Sequence, residues 1–120
     1  MVTITLEQNG LVRTLSGVVS MDEMDASAQS IQNHPQIDEM KYNIHDFTAL
    51  TEANLTDMDI DFMAARANVS VLRNPRLKLV FVGNHPIVHK LVTAFNAVGY
   101  SQNIVVRFDT LGEAQAYVSS

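Results

Sequence analysis

The sequence predicts an α/β fold, with a mostly parallel sheet of about five strands, an antiparallel N-terminal edge strand and about four helices in the order β-β-α-β-α-β-α-β-α. Three observations carry this. The stretch Leu77 to Pro86, LKLVFVGNHP, is a short apolar run that stops at Gly83-Asn84 and passes at once into a helical pattern, as a buried strand turning into a helix does. Capping boxes stand before helical patterns at Ser20 to Glu23 and at Thr110 to Glu113. After the N-terminal hairpin, successive strand patterns are separated by helix-length segments, and such connections pair strands in parallel with right-handed crossovers.

In chain order, Val2, Ile4 and Leu6 alternate with Thr3, Thr5 and Glu7, the period of a half-buried strand. Asn9-Gly10 offers the positive φ of a tight hairpin, so a second strand from Leu11 to about Val18 is expected antiparallel to the first. A helix opens at the Ser20 cap, carries Met21, Met24, Ala28 and Ile31 on one face, and ends near Asn33, ahead of His34-Pro35. Its methionines read as core filler. Met40 to Asp46 alternates as a third strand, with Tyr42 and Ile44 on one side and Asn43 and His45 on the other, and Phe47 to Leu55 reads as loop. Thr56 caps a second helix with acids in its first turn and an apolar stripe of Ile60, Met63, Ala64, Ala67, Val71 and Leu72, ended by Asn74-Pro75. Beyond the 77–82 strand, Pro86 opens a helix whose Val88, Leu91, Val92, Phe95 and Val98 face inward, with Gly99 as its stop. Asn103 to Phe108 is the last strand. The final helix turns Ala114, Tyr117 and Val118 inward. If sequence neighbours are also sheet neighbours, the crossover helices share one face, and Thr3, Thr5, Asn43, His45, Lys78 and Arg107 are the polar strand residues available to the other.

A chain of 120 residues fits a single domain spanning 1–120 and buries enough surface to fold without staples. With no cysteine there is neither disulfide nor thiolate, which suits a cytoplasmic protein, the expected location. No run is long and apolar enough to span a bilayer, and MVTITLEQNG has neither the basic segment nor the apolar core of a secretory signal. The net charge of -5, with scattered Lys and Arg, argues against nucleic acid and anionic membranes as partners.

Sites in a parallel sheet form at the carboxyl ends of strands. That edge is expected to gather Ser20, His45, Asp46, Thr48, Asn84, His85, Asp109 and Thr110. Gly83-Asn84-His85 at a helix start offers N–H groups to an anion, although glycine in a tight turn has its own conformational reason. His85 and His89 have the spacing of two metal ligands, but HPIVH lacks the glutamate of the metalloprotease motif and no third ligand follows, so no metal is expected. Asp57, Asp59 and Asp61 alternate without the glycine or terminal glutamate of a calcium loop. His45 and Asp46 are adjacent in a strand and point to opposite faces, and neither a G-x-S-x-G nor a phosphate-binding glycine motif is present. Catalysis and a cofactor are therefore not expected.

The strand and loop YNIHDFTAL, the turn LKLVFVGNHP and the closing RFDTLGEAQAYV together resemble the SpoIIAA-like family, distant relatives of STAS domains and anti-sigma-factor antagonists. The closing unit is the most telling: Arg107 and Phe108 end a strand, Asp109 and Thr110 turn, and Glu113 and Ala114 enter a capped helix. The resemblance spans nearly the whole chain and implies a SpoIIAA-like fold. Antagonists of this type carry a phosphorylatable Ser or Thr just after the third strand. The matching position here is Thr48 in Asp46-Phe47-Thr48-Ala49-Leu50, where the family's glycine is absent and the next helix cap, Thr56, lies several residues on.

Three functions follow as expectations. The first is a non-enzymatic regulatory or protein-interaction domain, joining a partner or a second copy through a sheet edge or helix face. From a further likeness to lipid-binding CRAL-TRIO domains comes a carrier of a small apolar ligand, lined by Met58, Phe62, Met63, Phe81, Phe95 and Phe108 beneath residues 47 to 56. The third is an enzyme at the strand-end cluster of His45, Asp46 and His85.

Overall fold

The computed structural model describes residues 1–98 and 105–119. Strand β1 (Val2–Leu6) pairs antiparallel with β2 (Gly10–Ser20), and β3 (Tyr42–Asn54), β4 (Lys78–Val82) and β5 (Val106–Phe108) follow in parallel, giving a five-stranded sheet in the order β1-β2-β3-β4-β5. The helices are α1 (Met21–Gln32), α2 (Asp57–Arg73), α3 (Pro86–Ala97) and α4 (Leu111–Ser119), with a short 3-10 turn at Ile37–Glu39. Gly99, and Asn103 and Ile104 of the expected last strand, lie outside the described residues. No helix among the described residues is long and apolar enough to cross a membrane.

Each long helix starts where its cap demands. Ser20 Oγ accepts from Glu23 N while Glu23 reaches back to Ser20 N, and Thr56 with Asp59 and Thr110 with Glu113 repeat the arrangement. Pro86 sits in the first turn of α3, where a missing N–H costs nothing.

Because sequence neighbours are sheet neighbours, the crossover helices α1, α2 and α3 cover one face, packing Met24, Ile31, Ile60, Val71, Val88 and Leu91 against Leu11, Leu15, Phe47, Leu79 and Phe81. Phe81 meets Phe47 with ring centroids 5.8 Å apart and Phe95 edge-on at 5.2 Å. Burying each such side chain contributes roughly 1.5–3 kcal/mol. The opposite face holds a smaller core of Val12, Ile44, Val80 and Val82 under Ala114, Tyr117 and Phe108, so α4 closes part of the face left open by the crossovers.

Four expectations are corrected. Residues 47–54 continue β3 instead of looping, because β2 runs on as far as Ser20 and pairs with them through two register shifts. The first hairpin is joined by residues 7–9, and Gly10, which opens β2, is required by the close approach of Tyr42, whose backbone oxygen would lie 2.3 Å from an added Cβ. Positive φ falls elsewhere, at Gly17 (67°) beside the second register shift and at Gly83 (128°). Asn43, His45 and Arg107 do not belong to the open face: they share the phase of Phe47, Phe81 and Val105 and look toward the helical layer. Finally, Leu72 points outward, with 65% of its surface exposed.

Candidate functional site

Arg13 lies between Leu11 and Leu15 on the buried face of β2, and only 6% of it reaches solvent. Its Nε donates to His45 Nδ1 at 3.1 Å and its Nη1 to Ser27 Oγ at 3.0 Å, while Ser27 Oγ itself donates to Met24 O at 2.9 Å. Both acceptors are neutral. Among the described residues no carboxylate lies within ion-pair distance of the guanidinium. Burial pulls its pKa down to about 10, so the group remains charged at neutral pH.

His45 completes the arrangement. Burial, and after it the neighbouring Arg13 charge, hold the imidazole well below its ordinary range, so the ring is neutral. Arginine can only donate, so Nδ1 carries the lone pair and the proton sits on Nε2. The ring stacks at 5.1 Å on Phe81 and presents a donor rather than a base to its surroundings.

These two side chains border a cavity of about 60 Å³ between the sheet and α1, α2 and α3. Leu79, Phe81, Met63 and Phe95 supply apolar wall, and Asn43 adds a polar one. Asn43 is 3% exposed, and its Oδ1 is the buried side-chain polar atom that finds no partner among the described residues. Asp25 and Arg66 also line the cavity, joined by an ion pair, and Arg66 Nε donates to Gln32 Oε1 at 3.2 Å. The cavity thus contains one compensated cation and one uncompensated one.

Of the residues assigned from sequence to a single strand-end cleft, only His45 lines the cavity, and the others are engaged in local contacts of their own. His45 enters the cavity from within the sheet. Asp46 faces the other way, and its Oδ1 accepts from Thr48 N at 2.9 Å and from Thr48 Oγ1 at 2.7 Å, which holds Thr48 in a strand rather than at a helix N-terminus. His85 Nδ1 accepts from Ile87 N at 3.1 Å as the cap of α3, and its Nε2 lies 3.2 Å from Thr51 O. Asn84 Oδ1 meets His89 Nε2 at 2.8 Å, so His85 and His89 are engaged separately and do not converge. Asp109 pairs with Arg107 at 2.7 Å, and Arg107 Nη1 also donates to Gly83 O at 3.0 Å. Of the N–H groups at the Gly83 turn and the start of α3, Gly83 N is taken by Phe108 O and Val88 N by His85 O, both at 2.9 Å. No group of three or more potential metal ligands occurs among the described residues.

Of the apolar lining expected for a carrier, Met63, Phe81 and Phe95 reach the cavity. Met58 and Phe62 stand on the surface, and Phe108 packs on Tyr117 at 5.4 Å beneath α4. Arg13, Ser27 and Asn43 were not anticipated. Arg13 was legible in principle, since a charge in phase with Leu11 and Leu15 falls on the buried side of its strand.

No family model and no curated protein sequence matches the chain. Solved structures do. SpoIIAA in its unphosphorylated form, an anti-sigma factor antagonist, is 12% identical with a TM-score of 0.68 over 100% of this chain and 99% of that one. The Bacillus cell fate determinant SpoIIAA in the phosphorylated form is 14% identical with a TM-score of 0.65, over 98% and 99%. An uncharacterised DUF3478-family protein from Shewanella loihica with a SpoIIAA-like fold is 14% identical with a TM-score of 0.53, over 98% and 92%. From end to end, the chain has the SpoIIAA-like fold.

Proposed function

We propose that the chain is a regulatory domain that works by binding protein, either a partner or a second copy, through the outer face of α2. One observation carries the reading. Met58, Phe62, Ala65, Val69 and Leu72 are all exposed and follow one another at alternating steps of four and three residues, the spacing of an apolar helix seam. Met58 is 80% exposed and Phe62 54%. The inner face of the same helix already buries Ile60, Ala64 and Val71, so this outer seam is surplus to the core. The end-to-end likeness to an anti-sigma factor antagonist supports the same reading.

The test is sedimentation equilibrium of the full chain and of the double variant Phe62→Glu/Leu72→Glu, with pull-down from the cell extract of its source. Self-association, or retention of a defined protein, that the double variant loses supports the proposal. A wild-type chain that stays monomeric at all concentrations and retains no protein ends it.

A further inference from the structure

We propose that the cavity beside Arg13 binds a small organic anion, a short-chain carboxylate whose charged end meets the guanidinium and whose apolar end rests against Phe81 and Phe95. The inference stands on the interior of the molecule and not on the outer face of α2. Buried charges in proteins are paired, and a guanidinium held only by a histidine and a serine is an exception that packing does not explain. Beyond the bonds of its Nε and Nη1, Arg13 has Nη2 to offer, and His45 has its Nε2–H; unlike Asn43 Oδ1, neither is both sealed from solvent and unpartnered, so both are available to a ligand entering the cavity. Two donors on neighbouring β2 and β3 positions, Arg13 opposite His45, therefore border the same cavity without a common acceptor. A carboxylate has two oxygens for such a pair.

Charge and size narrow the ligand. The charged residues lining the cavity are Arg13, Arg66 and Asp25, and the ion pair of the last two leaves the Arg13 charge unbalanced. A cavity of about 60 Å³ is less than half the ~150 Å³ that takes up a benzene ring, so it suits a ligand of a few heavy atoms and not a lipid. The orphaned Asn43 Oδ1 asks for a donor, which a hydroxyl on the carbon next to the carboxyl supplies.

The experiment titrates the ¹⁵N-labelled full chain with sodium propionate, sodium 2-hydroxypropionate, propionamide and sodium chloride at matched ionic strength, following the Arg13 Nε–H and the His45 ring by NMR. Both carboxylates are expected to give saturable shifts in the millimolar range, tighter for 2-hydroxypropionate, while propionamide and chloride do not saturate. In Arg13→Met the carboxylate affinity falls about tenfold or more. Saturation by chloride equal to that by propionate, equal affinity for propionamide and propionate, or unchanged affinity in Arg13→Met overturns the proposal. Equal affinity for the two carboxylates overturns the assignment of the hydroxyl to Asn43. Should Arg13→Met fail to fold, the contrast between propionate and propionamide on the wild-type chain decides alone.

Discussion

Replacing Arg13 by methionine separates a residue kept for stability from one kept for binding. Burial lowers the guanidinium pKa to about 10, and a lowering of that size corresponds to about 3 kcal/mol of cost to the folded state at neutral pH. The sign follows from linkage: the folded state holds this proton less tightly than the unfolded state, so the charged form opposes folding wherever both are protonated. Methionine removes that cost and fills much the same volume. Against it stands the loss of the donor to His45 Nδ1, worth about 1–3 kcal/mol if the acceptor stays unpaired, while Ser27 Oγ keeps its bond to Met24 O. The two terms nearly cancel, so Arg13→Met is expected within about 2 kcal/mol of wild type. Urea unfolding at pH 7 in a buffer free of carboxylates, fitted with a common m-value, measures it. A loss of 3–5 kcal/mol, the usual consequence of breaking a compensated buried ion pair, would refute the reasoning by showing that Arg13 stabilises the fold.

Three further outcomes follow from the same geometry. His45 is neutral when folded and its pKa is depressed, so the unfolded state takes up its proton first as pH falls below about 6.5; stability then drops by up to ~1.4 kcal/mol per pH unit, and His45→Gln flattens the difference between urea midpoints at mildly acidic and neutral pH. Gly83→Ala places a Cβ at φ 128°, with the Phe47 backbone carbon 3.3 Å away, and is expected to cost about 2–3 kcal/mol in the same assay; a neutral result would contradict the turn geometry. Thr56→Ala removes the acceptor for Asp59 N at 3.1 Å and lowers stability by about 1 kcal/mol, with earlier amide exchange in the first turn of α2 as its local signature.

The fold was legible because its signals are local. Three side-chain caps, the period-two strands and Gly83 each act within a few residues, and the crossover rule then orders the parallel strands. Boundaries failed where a distant partner decides. Phe47 to Asn54 lacks a clear period-two pattern of its own but is drawn into β3 by the long β2 alongside it, and Gly10 answers to Tyr42 across the sheet rather than to its own turn. The candidate site was only half legible. In the middle strand β3 both faces are covered, so alternation could not say whether Asn43 and His45 or Tyr42 and Ile44 faced the helices. The strand-end set does not share one cavity, since His45 lines it and Asp46 does not. With β3 running to Asn54, His45 and Asp46 lie well inside the strand and point to opposite sides.

The claim that the outer seam of α2 is a protein contact is tested most directly by photocrosslinking from within it. A photoreactive phenylalanine analogue replacing Phe62, with a second chain carrying it at the exposed Gln115 of α4 as the comparison, is irradiated in the source cells. We predict a discrete adduct from position 62, to this chain or to one partner, and none from position 115. Adducts of the same pattern from both positions, or none from position 62, would contradict the account.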